Sequence, residues 1–508
     1  MEKKINTHKL PSGWLLVKLE DISKQITDGS HNPPRNMGSG IPMLSARNIE
    51  NNRISFEEVR YIGEEDFKYE NQKTKIEVGD VLLTIVGTIG RCAYISENID
   101  TKFTLQRSVA AIKPLISGKY LMYYIQSPNF QKQLIDNAKG TAQKGIYLKK
   151  LSSLELPLPP LNEQNRIVSK IEELFSELDH AELGLKKAQI QLDINRQVLL
   201  KNAFIGKLLS KDSDLKYNWR RINLGDVVVK KSQKAKPDNN SELKFIGLEC
   251  INANSLKLSS TFLFKNYSST ASYFKKGDII YSRMRPNLNK VYKVEFDGVC
   301  SGEFFVLEGL DIINTDFLKY LLHSSEFVRY ATKKAAGDRP RLSFKDFCDY
   351  QFYIPKIEEQ NLIVQEIESR ITLMDNLNDS ITIGLKKIVT LQDAILKNAF
   401  EGSLIPQNSN DESAFNLLRK ITTQKDVYLT KRDSDLKNKI KPNMKQNLIN
   451  TIENNFSETP FTFEELSKVT SMSYDDIKEQ LYELLDKESK LTSIFSKDAK
   501  CIIFKYKK

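Results

Sequence analysis

The chain has 508 residues, with 76 Lys plus Arg against 65 Asp plus Glu, and the net charge of +11 favours a polyanionic partner. Five cysteines (Cys92, Cys250, Cys300, Cys348 and Cys501) without a CxxC pair argue against a disulfide framework or a zinc site and predict a reduced, cytoplasmic setting. No apolar run reaches the about 18 residues that a membrane span needs, and no signal-peptide pattern opens the chain, so a soluble protein of three or four domains without membrane partners is expected.

Residues 1–158 and 211–354 share their punctuation. WLLVKLEDI from Trp14 answers to WRRINLGDV from Trp219, and EVGDVLLTIVGTIGR from Glu77 answers to KKGDIIYSRMRPNLNK from Lys275. In each segment a helical stretch follows, YLMYYIQSPNF from Tyr120 and FLKYLLHSSEF from Phe317, and then a Gly-bearing basic loop. Short apolar or alternating strands divided by Gly, Asn and Pro turns predict a small α+β globule in both cases. The frame is kept and the loops differ, which suits two readers of different targets.

Residues 159–210 and 355–406 are a second repeat. PPLNEQNRIVSKIEELFSELD from Pro159 returns as PKIEEQNLIVQEIESRITLMD from Pro355, an offset of 355 − 159 = 196. Both close on LKNAFxGxL, at Leu200–Leu208 and Leu396–Leu404. Ile167, Ile171, Leu174, Leu178, Ala181, Leu185, Ala188, Leu192 and Leu199 step by threes and fours, with Asn195 breaking the row. Ile363, Ile367, Met374, Leu377, Ile381, Ile388, Leu391 and Ile395 do the same. That spacing predicts two long helices, each with one apolar seam, packed as an antiparallel coiled coil that acts as a ruler.

Residues 407–445 contain one helix-like piece, ESAFNLLRKI from Glu412, and then a charged run that reads as a solvated linker. Residues 446–508 spell three helices and a strand pair, with serines and Thr462 at cap positions, and predict a small winged-helix-like domain. Its would-be recognition helix, SYDDIKEQ, carries more acid than base, so DNA binding and protein contact both remain open for it.

The paired helices with EQNxIV near their starts and LKNAFxGxL at their ends resemble the two central conserved regions of type I restriction–modification specificity subunits. The GDVLLTIVGTIGR and GDIIYSRMRPNLNK stretches resemble the GD-initiated strand of that family's target recognition domains, and TDGSH at Thr27 resembles another of their recurring phrases. IPQNSNDESAFNLLRKI resembles the family's C-terminal ending; the resemblance covers about residues 1–425 and leaves the winged-helix-like tail without a counterpart. It implies a non-catalytic subunit that reads bipartite double-stranded DNA, one half per recognition domain, for phage defence. It also implies two methyltransferase (M) subunits docked on the paired helices, modifying adenines with S-adenosylmethionine, and motor–nuclease (R) subunits using ATP and Mg.

Catalytic candidates in the chain itself fail individually. Asn32-Pro33-Pro34 resembles the core of an adenine methyltransferase motif, but Arg35 stands where an aromatic residue would stack on the base, and no glycine-rich cofactor fingerprint precedes it. Pro237-Asp238 with Glu242 and Lys244 spells a PD-ExK nuclease, yet the carboxylates are too close in sequence for separate strands. No GxxxxGK[ST] loop is present, and His8, His31, His180 and His323 have no metal-ligand spacing. No cofactor or metal of the chain's own is expected.

DNA-binding candidates are Arg, Lys, Asn, Gln and small polar residues clustered in loops beside predicted strands, since these side chains bridge base edges or hold phosphates. In the first segment they are His31, Arg35, Arg47, Asn48, Gln106, Arg107, Thr141, Gln143 and Lys144. In the second they are Lys230, Lys231, Lys234 and Lys236, read as a phosphate grip, with Arg283, Arg285, Asn287, Lys290, Arg339 and Arg341. A stand-alone DNA-binding regulator reading through the tail is the alternative, and it leaves the duplicated domains unexplained.

Overall fold

The computed structural model describes residues 10–50, 52–140, 144–209, 219–237, 242–439, 442–470, 472, 474–486, 491–496 and 501–506. It divides into two compact units, Met1–Glu173 with Asp393–Lys508, and Leu174–Gln392. The division falls inside both long helices, so each unit holds one recognition domain, the start of one helix and the end of the other.

In the first unit, Leu15–Lys18 pairs antiparallel with Glu155–Leu158 and closes the recognition domain at its ends. Between them lies a four-stranded antiparallel sheet ordered Ser23–Asp28, Val109–Pro114, Val81–Thr84, Cys92–Tyr94. In the second unit the same roles fall to Arg220–Asn223 with Gln351–Ile354, and to Val228–Lys230, Phe304–Gly309, Ile279–Ser282 and Val291–Lys293. Each domain adds a second sheet and two consecutive helices, capped by Ser117 and Ser127 in one and by Asn314 and Ser324 in the other. A Ser or Asn oxygen there accepts an otherwise orphaned first-turn N–H.

The repeated Gly-Asp phrase has a structural cause. Gly79 and Gly277 both have φ +96°, which favours glycine, and the following strand is buried throughout. Asp80 accepts the Glu77 N–H at 2.8 Å, and Asp278 accepts the Lys275 N–H at 2.8 Å. Each Asp also takes a lysine, Lys113 on Asp80 at 2.7 Å and Lys231 on Asp278 at 2.7 Å.

Leu161–Phe204 and Ile357–Phe400 are single helices of 44 residues each, roughly 66 Å at 1.5 Å per residue. Their EQN phrases dock each helix on its own recognition domain. Trp14 Nε1 donates to Glu163 at 3.0 Å, while Gln164 accepts the Ser117 N–H at 3.1 Å and donates to the Pro159 carbonyl at 2.9 Å. Trp219, Glu359, Gln360, Asn314 and Pro355 repeat the arrangement at 3.0, 2.8 and 2.9 Å. The closing phrases dock on the other domain. Leu200, Ala203 and Phe204 enter the core of the second, with Phe204 edge-on to Phe317 at 5.1 Å. Phe400 meets Tyr120 and Tyr124 of the first, at 5.3 and 5.0 Å. Gly206 and Gly402 then turn left-handed (φ +77° and +75°), and Lys207 and Ser403 donate back to Asn202 and Asn398 at 2.9 Å, a Schellman ending.

Within the second unit the long helices pack antiparallel. Arg196 pairs with Asp375, Gln189 donates to Asn378 at 3.3 Å, and Leu185 fills the space beside Gly384. Leu192, Ile381 and Ile388 are buried. The seam is less continuous than its spacing predicts: Ala181, Ala188, Leu377 and Leu391 of the expected row are exposed.

Within residues 407–445, where the sequence predicts one short helix-like piece, lies a 26-residue helix, Ala414–Lys439. Ala414, Leu417 and Ile421 bury one stripe of it, and the charged run continues the helix because no Gly or Pro interrupts the sequence before Pro442. Asp411 is held by both terminal nitrogens of Arg166, at 3.2 and 2.6 Å. Lys425 donates to the Glu20 carbonyl, and Lys24 lies 4.5 Å above the Tyr428 ring, so the helix lies on the first domain. The tail is a winged helix: Pro442–Phe456, Phe461–Thr462, Phe463–Val469, Tyr474–Asp486 and the hairpin Leu491–Ser496 with Cys501–Tyr506. Leu448, Ile452, Phe461, Leu481 and Phe504 are in its core, and Thr462 forms a capping box with Glu465. Among the described residues no helix is long and apolar enough to cross a membrane.

Candidate nucleic-acid interface

In the second domain the strand Ile279–Ser282 delivers its chain to a rigid loop. Arg285 and Asn289 are both left-handed (φ +50° and +47°) and bracket one 3-10 turn at Pro286–Leu288. Asn289 is buried and donates to the His323 carbonyl at 3.0 Å, which leaves Arg285 and Asn287 exposed at the tip. The second basic loop zips onto the first. Met284 and Ala336 both bridge to Arg341, Arg285 N–H donates to the Pro340 carbonyl at 2.7 Å, and Leu342 N–H donates to the Arg283 carbonyl at 2.8 Å. Two stretches about 50 residues apart in sequence thereby form one basic edge, with Arg339 exposed on it.

Glu303, which the sequence reading passed over, lies between them. Arg341 Nε donates to its two oxygens at 3.2 and 3.0 Å, and Nη2 donates at 2.9 Å. Arg283 Nε lies 3.5 Å from the same carboxylate. Arg341 first, and Arg283 behind it, hold the Glu303 carboxyl below its usual pKa, so it is ionised at neutral pH. Phe305 adds one further charge beside Arg283, with Lys230 Nζ 5.2 Å and the Arg283 guanidinium 5.9 Å from its ring centre.

Two expected contacts are spent elsewhere. Lys231 belongs to the Gly-Asp turn, where it is half-buried against Asp278 and Glu308. Lys290 is half-buried and donates to the Leu248 carbonyl at 2.6 Å. Lys230, Lys234 and Lys236 are exposed, with Lys234 on the Ser272 hydroxyl at 2.9 Å.

The first domain uses the same backbone scaffold. Val86 and Lys139 bridge to Gly145, and Gly87 N–H donates to the Lys144 carbonyl at 3.0 Å. Ser30 bridges to Gln106, which joins the loop of His31 and Arg35 to that of Gln106 and Arg107. Gly29 permits the approach, since a Cβ there would lie 2.1 Å from the Leu105 carbonyl oxygen. The Ser108 hydroxyl accepts the Ala46 N–H at 3.0 Å and draws in the Arg47 loop. Arg35, Arg47, Arg107 and Lys144 are exposed, Gln106 is half-buried, and His31 is exposed with its Nε2 2.6 Å from Asp28. Asn48 is corrected: it is 2% exposed, its oxygen accepts the Ser45 N–H at 2.9 Å, and its amide donates to the Glu57 carbonyl at 2.9 Å. It shapes the loop from inside. Thr141 and Gln143 lie outside the described residues.

The chain thus holds duplicated α+β domains with convergent basic loops, each clipped to a long helix pair. The family model for the type I restriction modification DNA specificity domain matches residues 11–188 and 216–387, and the chain belongs to that family as a type I restriction–modification specificity subunit. It is 29% identical to the EcoBI specificity subunit of Escherichia coli over 221 residues, 42% of this chain and 44% of that protein. It is 22% identical over 471 residues to the StySPI specificity subunit of Salmonella potsdam, covering 85% of this chain and 99% of that one. Among solved structures, one from a study of complex assembly and conformational transition of the type I R-M system matches with a TM-score of 0.61 at 19% identity, covering 78% of this chain and 100% of that one. The HsdS subunit from Thermoanaerobacter tengcongensis matches with 0.51 at 19%, covering 78% and 99%, and both likenesses concern the fold.

Charge on this surface should govern affinity more than choice. Replacing Lys230, Lys234 and Lys236 together with Ala should weaken binding to all sequences alike and flatten the salt dependence by about 0.9 log unit per lost phosphate contact. Filter binding across a salt series checks this. A changed site preference with an intact slope would mean these lysines read bases.

Proposed function

We propose that this subunit reads a two-part DNA target, one half by each recognition domain, while the antiparallel helices set the gap. The observation that carries the proposal is the same loop scaffold built twice with different side chains on it. In this reading the chain has no catalytic step of its own. Two M subunits methylate an adenine in each half with S-adenosylmethionine, and R subunits use ATP and Mg for restriction, all in the cytoplasm. The exposed residues Arg35, Arg47, Arg107, Lys144, Arg285, Asn287 and Arg339 are the proposed contacts, with His31, Gln106, Lys230, Lys234 and Lys236 beside them.

Methylome sequencing of cells carrying the complete system tests this. It should return one adenine-methylated motif of two short parts around an unspecified gap. Seven residues added to each long helix, where Leu185 meets Gly384, lengthen the pair by roughly 10 Å at 1.5 Å per residue. The same halves should then return with a gap wider by about three base pairs at 3.4 Å each. A contiguous motif, or an unchanged gap in the lengthened variant, would refute the proposal.

A further inference from the structure

Arginine presents two bidentate edges, Nε with one terminal nitrogen and the two terminal nitrogens together. On Arg341 the first edge is taken by Glu303, at 2.9 to 3.2 Å, and the outer edge makes one long contact, Nη1 to the Arg339 carbonyl at 3.4 Å. The Arg341 side chain is 39% exposed and that of Glu303 27%. The outer edge of such a group matches O6 and N7 of guanine. A free arginine can instead swing onto a phosphate, which carries no sequence information. We propose that Glu303 is a positioning residue for base readout: it fixes Arg341 with its outer edge presented to a guanine in the half-site of the second domain. The inference rests on the reading of this chain as a DNA specificity subunit.

The first domain separates this role from a merely structural one. The Arg283 N–H donates to the Glu303 carbonyl at 2.9 Å, as that of Ile85 donates to Ser108 at 2.9 Å. Leu342 donates to Arg283 at 2.8 Å as Ile146 donates to Ile85 at 2.9 Å, and the Met284–Arg341 bridge corresponds to Val86–Gly145. The backbone arrangement is therefore reproduced with Ile85, Ser108 and Gly145 where the second domain has Arg283, Glu303 and Arg341. Loops of this shape form without a carboxylate. What Glu303 adds is the orientation of two arginines, and only one of the two readers has it.

The experiment is a randomised-site selection with the methyltransferase partner bound, run on the native chain, Glu303→Gln, Arg341→Ala and the double variant. Affinity for an unrelated duplex is measured in parallel. Glu303→Gln keeps the shape and removes the charge. It should weaken preference at one guanine of the second half by about tenfold, within the range a bidentate pair can carry. Arg341→Ala should lose preference at the same base pair, and the double variant should lose no more. Affinity for the unrelated duplex should hold or rise in Glu303→Gln, because a negative charge has gone. Unaltered preference in Glu303→Gln, or loss at a different base pair from Arg341→Ala, would overturn the positioning role alone. A native complex without preference in the second half would overturn the DNA-reading proposal with it.

Discussion

Replacing Lys113 with methionine should destabilise the first unit by about 3–5 kcal/mol, the usual cost of removing one partner of a buried ion pair. Lys113 and Asp80 have side chains 7% and 6% exposed, and Lys113 Nζ sits 2.7 Å from the carboxylate. Methionine fills the volume and leaves Asp80 with the Glu77 N–H but no counter-charge. Burial already raises the Asp80 pKa against the pull of Lys113. Without the lysine it rises further, so the folded state holds a proton that the unfolded chain has released. The loss should therefore be greatest at and above neutral pH and shrink as pH falls through the folded pKa toward the unfolded one. Urea unfolding at several pH values checks both the size and the sign. A shift under about 1 kcal/mol at neutral pH would show that Asp80 is better hydrated than its burial implies.

Much of the architecture is legible because repetition is legible. An offset of 196 residues without a net insertion identifies paired helices, and the shared Trp, Gly-Asp and helix phrases identify paired domains. The physical meaning of the signatures is a different matter. EQN and LKNAF read as the ends of a coil, but they are clips. The Trp–Glu and Gln–carbonyl bonds join residues more than 100 positions apart or across a turn, and Phe204 and Phe400 each serve the domain that a linear reading would not assign to them. The contact of Phe400 with Tyr120 and Tyr124 depends on the antiparallel return of the second helix.

Individual site residues were less legible for the same reason. Lys231 stands in a run of lysines that looks like a phosphate grip, yet its partner Asp278 lies 47 residues on. Asn48 looks exposed beside Arg47, but the 3-10 turn at Ala46–Asn48 carries it inward. Glu303 precedes an apolar strand, and nothing in the sequence joins it to Arg341, 38 residues away. Only the start of the helix Ala414–Lys439 is legible, in ESAFNLLRKI, because its apolar stripe is three residues long before the charges begin.

Two domains that read independently form the central claim, and Arg285 with Asn287 tests it most directly. Both are exposed at the tip of a loop fixed by left-handed residues, and neither takes part in the Glu303 cluster. A bidentate contact of this kind is worth roughly 1–3 kcal/mol of discrimination. The measurement is a randomised-site selection on the Arg285→Ala, Asn287→Ala double variant with its methyltransferase partner bound. The half read by the second domain should relax by about 5- to 150-fold, as that energy implies, and the half read by the first should keep its preference. Equal relaxation of both halves, or none in either, would contradict the two-reader account.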